Sequence, residues 1–429
     1  MSVPAGRAGG LRGSAVLTAS AALASTALGA VTSVIIARDL GVVARGEFAV
    51  ISSLALLVGT TLMVGLPTAA SYAAARLKGD DLTRVVHAAL WATAVLAVLA
   101  ACAYAVASLV VRPSGVGRGV ILVGAATAVA VIVDQVSRQV ALTTAPLRWF
   151  AASQVIPAAL LLGGVFLVAG HLTVASTLAL SALASLIGAV VAIVALARHG
   201  VLGGRLLVRS PGQCVRALRP YLAFALLTYG TISLTHLVRR IDVLLVDGYR
   251  GSGAAGIYAV AVQVSDLLLV VPSALGYLVF RLGARSTTGH WAATLRTLRW
   301  TVGLSVVLAI AAGALATPLV ERVFGVSYSA AVTPLRLLLP GAALLALQSV
   351  ISNYIAARGR PRRVLFAWLA GAVVGIGLDI VVIPIYGVAG AAAASSISYL
   401  VVLVLHLEAL RGVRAAESDG LSSTPGKGS

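Results

Sequence analysis

The chain is predicted to be an all-α integral membrane protein of about twelve transmembrane helices, in two parallel-repeat six-helix halves. Three observations carry that prediction. First, 60% of the 429 residues are hydrophobic, only 10% are charged, and the mean hydropathy is +1.03. A soluble domain carries about a quarter charged residues. Second, apolar runs of roughly 20 residues, long enough to cross about 30 Å of hydrocarbon, recur along the whole chain. They are too long and too rich in Ala, Leu and Gly for barrel strands. Third, an element recurs at an offset of 210 residues: LGVVARGEFAVISSLALL at 40–57 and YRGSGAAGIYAVAVQVSDLL at 249–268. The alignment sets Gly41 on Gly251, Ala44 on Ala254 and Gly46 on Gly256.

The expected spans fall at about 14–37, 46–72, 85–111, 119–137, 150–169, 173–197, 220–247, 255–280, 299–317, 333–356, 364–384 and 387–407. The first is longer than the apolar segment of a cleaved signal peptide and opens the first repeat, so it is read as retained. The second holds Gly65 and Pro67, and the eighth holds Pro272 and Gly276. These are matched points where helices can bend, because PTAASYAAARL at 67–77 echoes PSALGYLVFRL at 272–282. The fourth carries Asp134 and Arg138 at i, i+4, the seventh carries TYGTISLTHLVRRID at 228–242, and the eleventh carries Asp379. An even number of spans per half sends both halves into the membrane in the same direction, which makes the repeat parallel.

Charge orients the chain. With the N-terminus inside, the inner segments hold 23 of the 32 lysines and arginines. The nine others are Arg38, Arg45, Arg112, Arg118, Arg239, Arg240, Arg250, Arg322 and Arg336. This asymmetry is what the positive-inside rule requires, and it accounts for the net charge of +19 without nucleic acid. Anionic lipid headgroups are the implied partner. The expected organisation is a cytoplasmic N-terminus (1–13), an N-terminal bundle (14–198), a basic cytoplasmic linker (199–219), a C-terminal bundle (220–410) and a disordered cytoplasmic tail (411–429).

Several function classes are excluded. There is no GxxxxGKS/T loop, no HExxH and no Cys/His cluster, and no extramembrane segment is long enough for a catalytic domain. No cofactor, metal or enzymatic activity is expected. Cys102 and Cys214 are placed for neither a disulfide nor a metal. The loop after the second span lacks the GxLxDRxGR pattern of major facilitator transporters.

Four segments resemble a family. ARDLGVVARGEFAV at 37–50 is similar to the ARxLGxxxxGxxA signature of the polysaccharide transporter family, the flippases of lipid-linked oligosaccharides. RRIDVLLVDGYRGSGAAGIYAVAVQVSDLL at 239–268, AARGRPRRV at 356–364 and IPIYGVAGAAAASSISY at 383–399 resemble later parts of the same pattern. The resemblance implies the multidrug, oligosaccharidyl-lipid and polysaccharide exporter superfamily, with two six-helix bundles around a central cavity and alternating access. The twelve spans depart from the fourteen of the lipid II branch. The implied function is export of a polyprenyl-diphosphate oligosaccharide across the cytoplasmic membrane for polysaccharide or cell-envelope glycan synthesis. A polysaccharide polymerase or glycosyltransferases are the implied protein partners. The alternative is a cation-coupled small-molecule extruder of the same fold.

Charged side chains inside a span cost about 2.5–3.5 kcal/mol each on insertion scales, so each one needs a partner, a cavity or water. Arg239, Arg240 and His236, with Arg38 at the end of the first span, are the candidates for binding diphosphate. Asp266, Asp379 and Asp134 are the candidates for ion coupling. Asp242 and Arg138 are expected as structural partners, Asp242 for one of the two arginines and Arg138 for Asp134. Tyr72, Tyr229, Tyr258 and Tyr277 are placed for sugar stacking or for packing.

Overall fold

The structure, a computed structural model, describes residues 6–111, 117–203, 211–268, 291–357 and 361–422. No strand occurs among them. The helices are α1 (Gly6–Leu62), α2 (Leu66–Ala74), α3 (Gly79–Val111), α4 (Arg118–Thr144), α5 (Leu147–Leu167) and α6 (Val174–Arg198) in the N-terminal half. The C-terminal half has α7 (Pro211–Val238), α8 (Ile241–Leu267), α9 (Trp291–Ala314), α10 (Ala316–Val323), α11 (Val332–Ala357) and α12 (Pro361–Ser422), with a 3₁₀ turn at Val326–Ala331. An apolar chain in lipid has to bond its backbone within itself, and the helix does this locally.

Three of these helices are two helices joined at a glycine. α1 has 57 residues, about 85 Å at 1.5 Å per residue, far more than one crossing uses. It breaks at Gly41 (φ 71°, ψ 179°). α8 breaks at Gly251 with almost the same angles (φ 79°, ψ 170°), and α12 breaks at Gly387. Nothing lies within 4 Å of where a Cβ would sit at Gly41 or Gly251. It is the backbone conformation, essentially open to glycine alone, that selects the residue there. The repeat seen in the sequence is therefore a repeat of backbone geometry.

Seven segments are long and apolar enough to cross a membrane, and two bent pairs add to them. Ser20–Leu62 and Arg362–Gly412 each contain a glycine break and are long enough for two crossings, and the bent pair 215–267 holds the seventh and the part of the eighth that is described. The protein is thus a multi-pass membrane protein that accommodates the twelve expected crossings. Three expectations need correction. The second span does not run unbroken over 46–72: it turns at Val64 (φ 46°) and Gly65 (φ 81°), and Pro67 then starts α2, where its missing N–H costs nothing. The seventh span is interrupted at residues 239–240. α12 itself extends as far as Ser422, into the stretch expected as the disordered tail. Pro272, Gly276 and Tyr277 lie outside the described residues.

The halves meet where α1 crosses α8. A Cβ on Gly46 would collide with the Ser252 carbonyl and the Gly256 nitrogen. One on Gly256 would collide with the Val42 carbonyl and the Gly46 nitrogen. Residues 42 and 46 contact 252 and 256, each shifted by 210, so the contact maps onto itself. Ala49, Val50 and Leu54 pack with Tyr258, Ala259 and Val260 in one core beside the crossing. All three glycine breaks lie on one side of the membrane, here called the break face; the opposite side, where α1 begins, is the terminal face.

Candidate functional site

The interruption of α7 positions the charged groups. No proline or glycine occurs at 239–240, yet the chain leaves the helix there, with Arg240 bonding its backbone N–H to Leu237 O and Ile241 opening α8. The two arginines follow the C-terminus of α7, the negative end of its dipole, and Asp242 sits in the first turn of α8, the positive end. Asp242 satisfies one freed backbone donor, as Val243 N donates to its Oδ1 at 2.8 Å. A broken membrane helix thus separates cations from anions along its own axis.

On the cation side, Arg239 and Arg240 both grip Asp266, with Arg239 Nη2 2.5 Å from Oδ1 and Arg240 Nη2 3.1 Å from Oδ2. Asp266 was expected to be isolated because no basic residue is close to it in sequence. The chain reversal at Gly251, which returns the second part of α8 alongside the end of α7, brings residues 26 and 27 positions away onto it. A third guanidinium joins from the N-terminal half. Arg45 is buried, donates to Ser33 Oγ (2.9 Å) and to Gln263 Oε1 (3.0 Å), and lies 5.3 Å from the Phe48 ring centroid. Ser33 also donates to Gln263, one helical turn before Asp266. Arg45 forms no ion pair among the described residues, and its Nε has no partner there.

On the anion side, Asp242 does not pair with an arginine as expected. Its Oδ2 accepts from Tyr258 (2.5 Å) and Ser395 (3.0 Å), leaving it within electrostatic reach of Arg239 and Arg240 but bonded to neither. Across the same layer, Asp379 is buried with Oδ1 unbonded. With Ser395, Ser398 and Gly375 it lines a cavity of about 10 Å³. The donors are hard oxygens, and the space is about that of one water-sized guest. No group of three His, Cys, Asp or Glu residues suited to a metal occurs among the described residues.

The remaining candidates lie elsewhere. Arg38 is on the break face, donating to the Val323 carbonyl (2.8 Å) and the Arg322 carbonyl, and so clips the first span to the other half. His236 is half-buried one turn before Arg240. Asp134 and Arg138 do pair, at 2.5 Å. Tyr258 is fully buried on Asp242 and is not free to stack. Tyr72 packs edge-on against Tyr221 and under Arg76. Tyr229 donates to the Met63 sulfur. Arg45 was missed because it reads as an outer-loop cation. The signal was in the repeat: its counterpart is Ala255, a residue type at home in a buried position.

No protein-family model matches the sequence, and no curated protein sequence does. The fold, however, is shared with solved transporters. The lipid II flippase MurJ in an inward closed conformation superposes with a TM-score of 0.74 at 13% identity, over 96% of this chain and 94% of that one. An inward-facing multidrug resistance MATE family transporter of the MOP superfamily gives 0.70 at 15% identity, over 96% and 100%. A MOP superfamily transporter from Pyrococcus furiosus, described as having a binding pocket of reverse polarity, gives 0.61 at 14% identity, over 94% and 95%. At these identities the likeness is one of fold, and it agrees with two six-helix bundles around a central cavity.

Proposed function

We propose that the chain is a flippase that carries a polyprenyl-diphosphate oligosaccharide across the cytoplasmic membrane by alternating access, for polysaccharide or cell-envelope glycan export. The observation that carries this reading is the pairing of Arg239 and Arg240 with the single carboxylate Asp266, joined from the other half by the buried Arg45, which bonds Gln263 one helical turn before Asp266. A guanidinium presents a planar fork of N–H donors that matches phosphate oxygens two at a time. Two such groups sharing one carboxylate, with a third that has no carboxylate partner among the described residues, leave donors for a diphosphate. Both termini are cytoplasmic in this reading, so the substrate enters from the terminal face while the glycine crossing closes the break face. The bend at Gly65 and Pro67 lets the second span move with the lobes. Glycosyltransferases supply the substrate and a polymerase or ligase consumes it; the chain itself makes and breaks no covalent bond.

Asp379 and Asp242 are assigned to coupling, because neither is bonded to an arginine and both are bound up with Ser395: Asp242 accepts from it, and Asp379 lines the same small cavity with it. A second reading, a cation-coupled extruder of small molecules, draws on the same carboxylates. The arginine cluster opposes it, since it would repel a cationic substrate.

The test is to replace Arg239 and Arg240 together by Gln and, separately, Arg45 by Gln. Lipid-linked intermediates should accumulate and export should fall by about 100-fold, the effect of roughly 2–3 kcal/mol. Undiminished export at normal protein abundance removes the diphosphate assignment. Asp379→Asn should abolish the dependence of export on the ion gradient; a dependence left intact excludes Asp379 from coupling.

A further inference from the structure

Between the N-terminal half and α7 lies a cavity of about 280 Å³, near the lower limit of small-molecule pockets, roughly 300–1,000 Å³. It lies toward the terminal face from the arginine cluster: Ile232, which lines it, precedes Arg239 by about 10 Å along α7. Gln135 and Gln139 of α4 and Gln154 of α5 face it, together with Arg138, Phe150 and Tyr229. The three glutamine side chains make no hydrogen bond to other described residues, which is costly in an apolar span unless the cavity supplies partners.

The chemistry of the lining selects among ligands. A carboxamide both donates and accepts, whereas a phosphate oxygen only accepts, so three amides match hydroxyls better than phosphate. A lipid tail would leave all three unsatisfied. No carboxylate lines the cavity, since Asp134 lies behind Arg138 and is held by it, so a cationic ligand finds no counter-charge. The rings of Phe150 and Tyr229 offer apolar faces for the C–H side of a sugar ring.

We infer that this cavity is a glycan subsite, in which Gln135, Gln139 and Gln154 hydrogen-bond the hydroxyls of a sugar unit while the arginines hold the diphosphate. The inference rests on the flippase reading and adds to it a determinant of which glycan is carried. Its size admits one sugar unit rather than a whole oligosaccharide.

Three probes test it on the purified chain in lipid nanodiscs: undecaprenyl diphosphate alone, and the same carrier bearing one hexose or one N-acetylhexosamine. At least one sugar-bearing probe should bind about tenfold more tightly than the bare carrier, the gain from one to two net hydrogen bonds. The triple variant Gln135→Leu, Gln139→Leu, Gln154→Leu should lose that gain and keep its affinity for the bare carrier. If the triple variant misfolds, judged by its thermal midpoint, the three single variants are measured, and each should lose part of the gain. Equal binding of all three probes to the wild-type chain overturns the subsite alone. A sugar preference undiminished in the folded variants overturns it too. No binding of any probe overturns both the subsite and the flippase reading.

Discussion

The two copies of the repeated element agree in backbone and differ in chemistry. Gly41 and Gly251 adopt nearly the same angles, and Gly46 and Gly256 lock into each other across the crossing. The polar positions do not repeat. Arg239 and Arg240 correspond to Gly29 and Ala30, Asp266 to Leu56, and Asp242 to Thr32, while Arg45 faces Ala255. Apart from Arg45, which reaches across to Gln263, the N-terminal half holds a self-contained pair, Asp134 with Arg138, i, i+4 on one helix. The C-terminal half assembles Arg239, Arg240 and Asp266 across a helix break. The repeat thus gives a scaffold that meets itself symmetrically, while the charged side chains it carries are arranged asymmetrically.

The same contrast appears at the break face. Asp39 at the end of the first span accepts from the backbone N–H groups of Gly170 and Leu172, in the loop between the fifth and sixth spans. Arg250, one place along in the repeat, donates to the carbonyls of Ile383, Pro384 and Ile385 between the eleventh and twelfth. The topological job is the same, and the charge doing it is reversed.

The largest effect should come from the part the halves share. Gly46→Leu or Gly256→Leu drives a side chain into backbone, an overpacking of at least about 1–3 kcal/mol. Export should fall by about 100-fold, and a spin-label pair placed across the break face should report a longer distance. Symmetry demands similar losses from either copy, and tolerance of one alone would break the equivalence. Next is Asp266→Asn, which leaves two guanidiniums without their carboxylate. A partly exposed pair of this kind should cost about 2–3 kcal/mol, seen as a lower thermal midpoint in detergent together with lost export. The smallest is Asp134→Asn in the N-terminal half, expected to cost about 1 kcal/mol because Arg138 opens onto the cavity. A loss equal to that of Asp266→Asn would erase the distinction drawn between the halves.

Much of this architecture was legible in the sequence. Span length, the parity of spans and the aligned glycines all follow from periodic or repeated signals, and the structure places Gly41 and Gly251 in the same conformation. The Asp134–Arg138 pair was readable because helical neighbours are close in sequence. The site was less so. Asp266 looked solitary because its partners, Arg239 and Arg240, reach it only across the chain reversal at Gly251, which sets residues 26 and 27 positions apart side by side. Asp242 looked like a partner for those arginines on helical spacing alone. It meets Tyr258 across the reversal at Gly251, and Ser395, which is 153 residues away.

The Gly46–Gly256 crossing also bears on the chain's ancestry. A patch that meets its own equivalent is what a twofold homodimer presents, since each subunit must offer and receive the same surface. Within one polypeptide such self-complementarity serves no requirement of folding, because a single chain is free to join two unlike faces. It is the geometry that two like six-span units paired through this glycine would share. By the same logic, fragments 1–210 and 211–429 produced as separate polypeptides carry matching halves of a dimer contact, through which they can recombine.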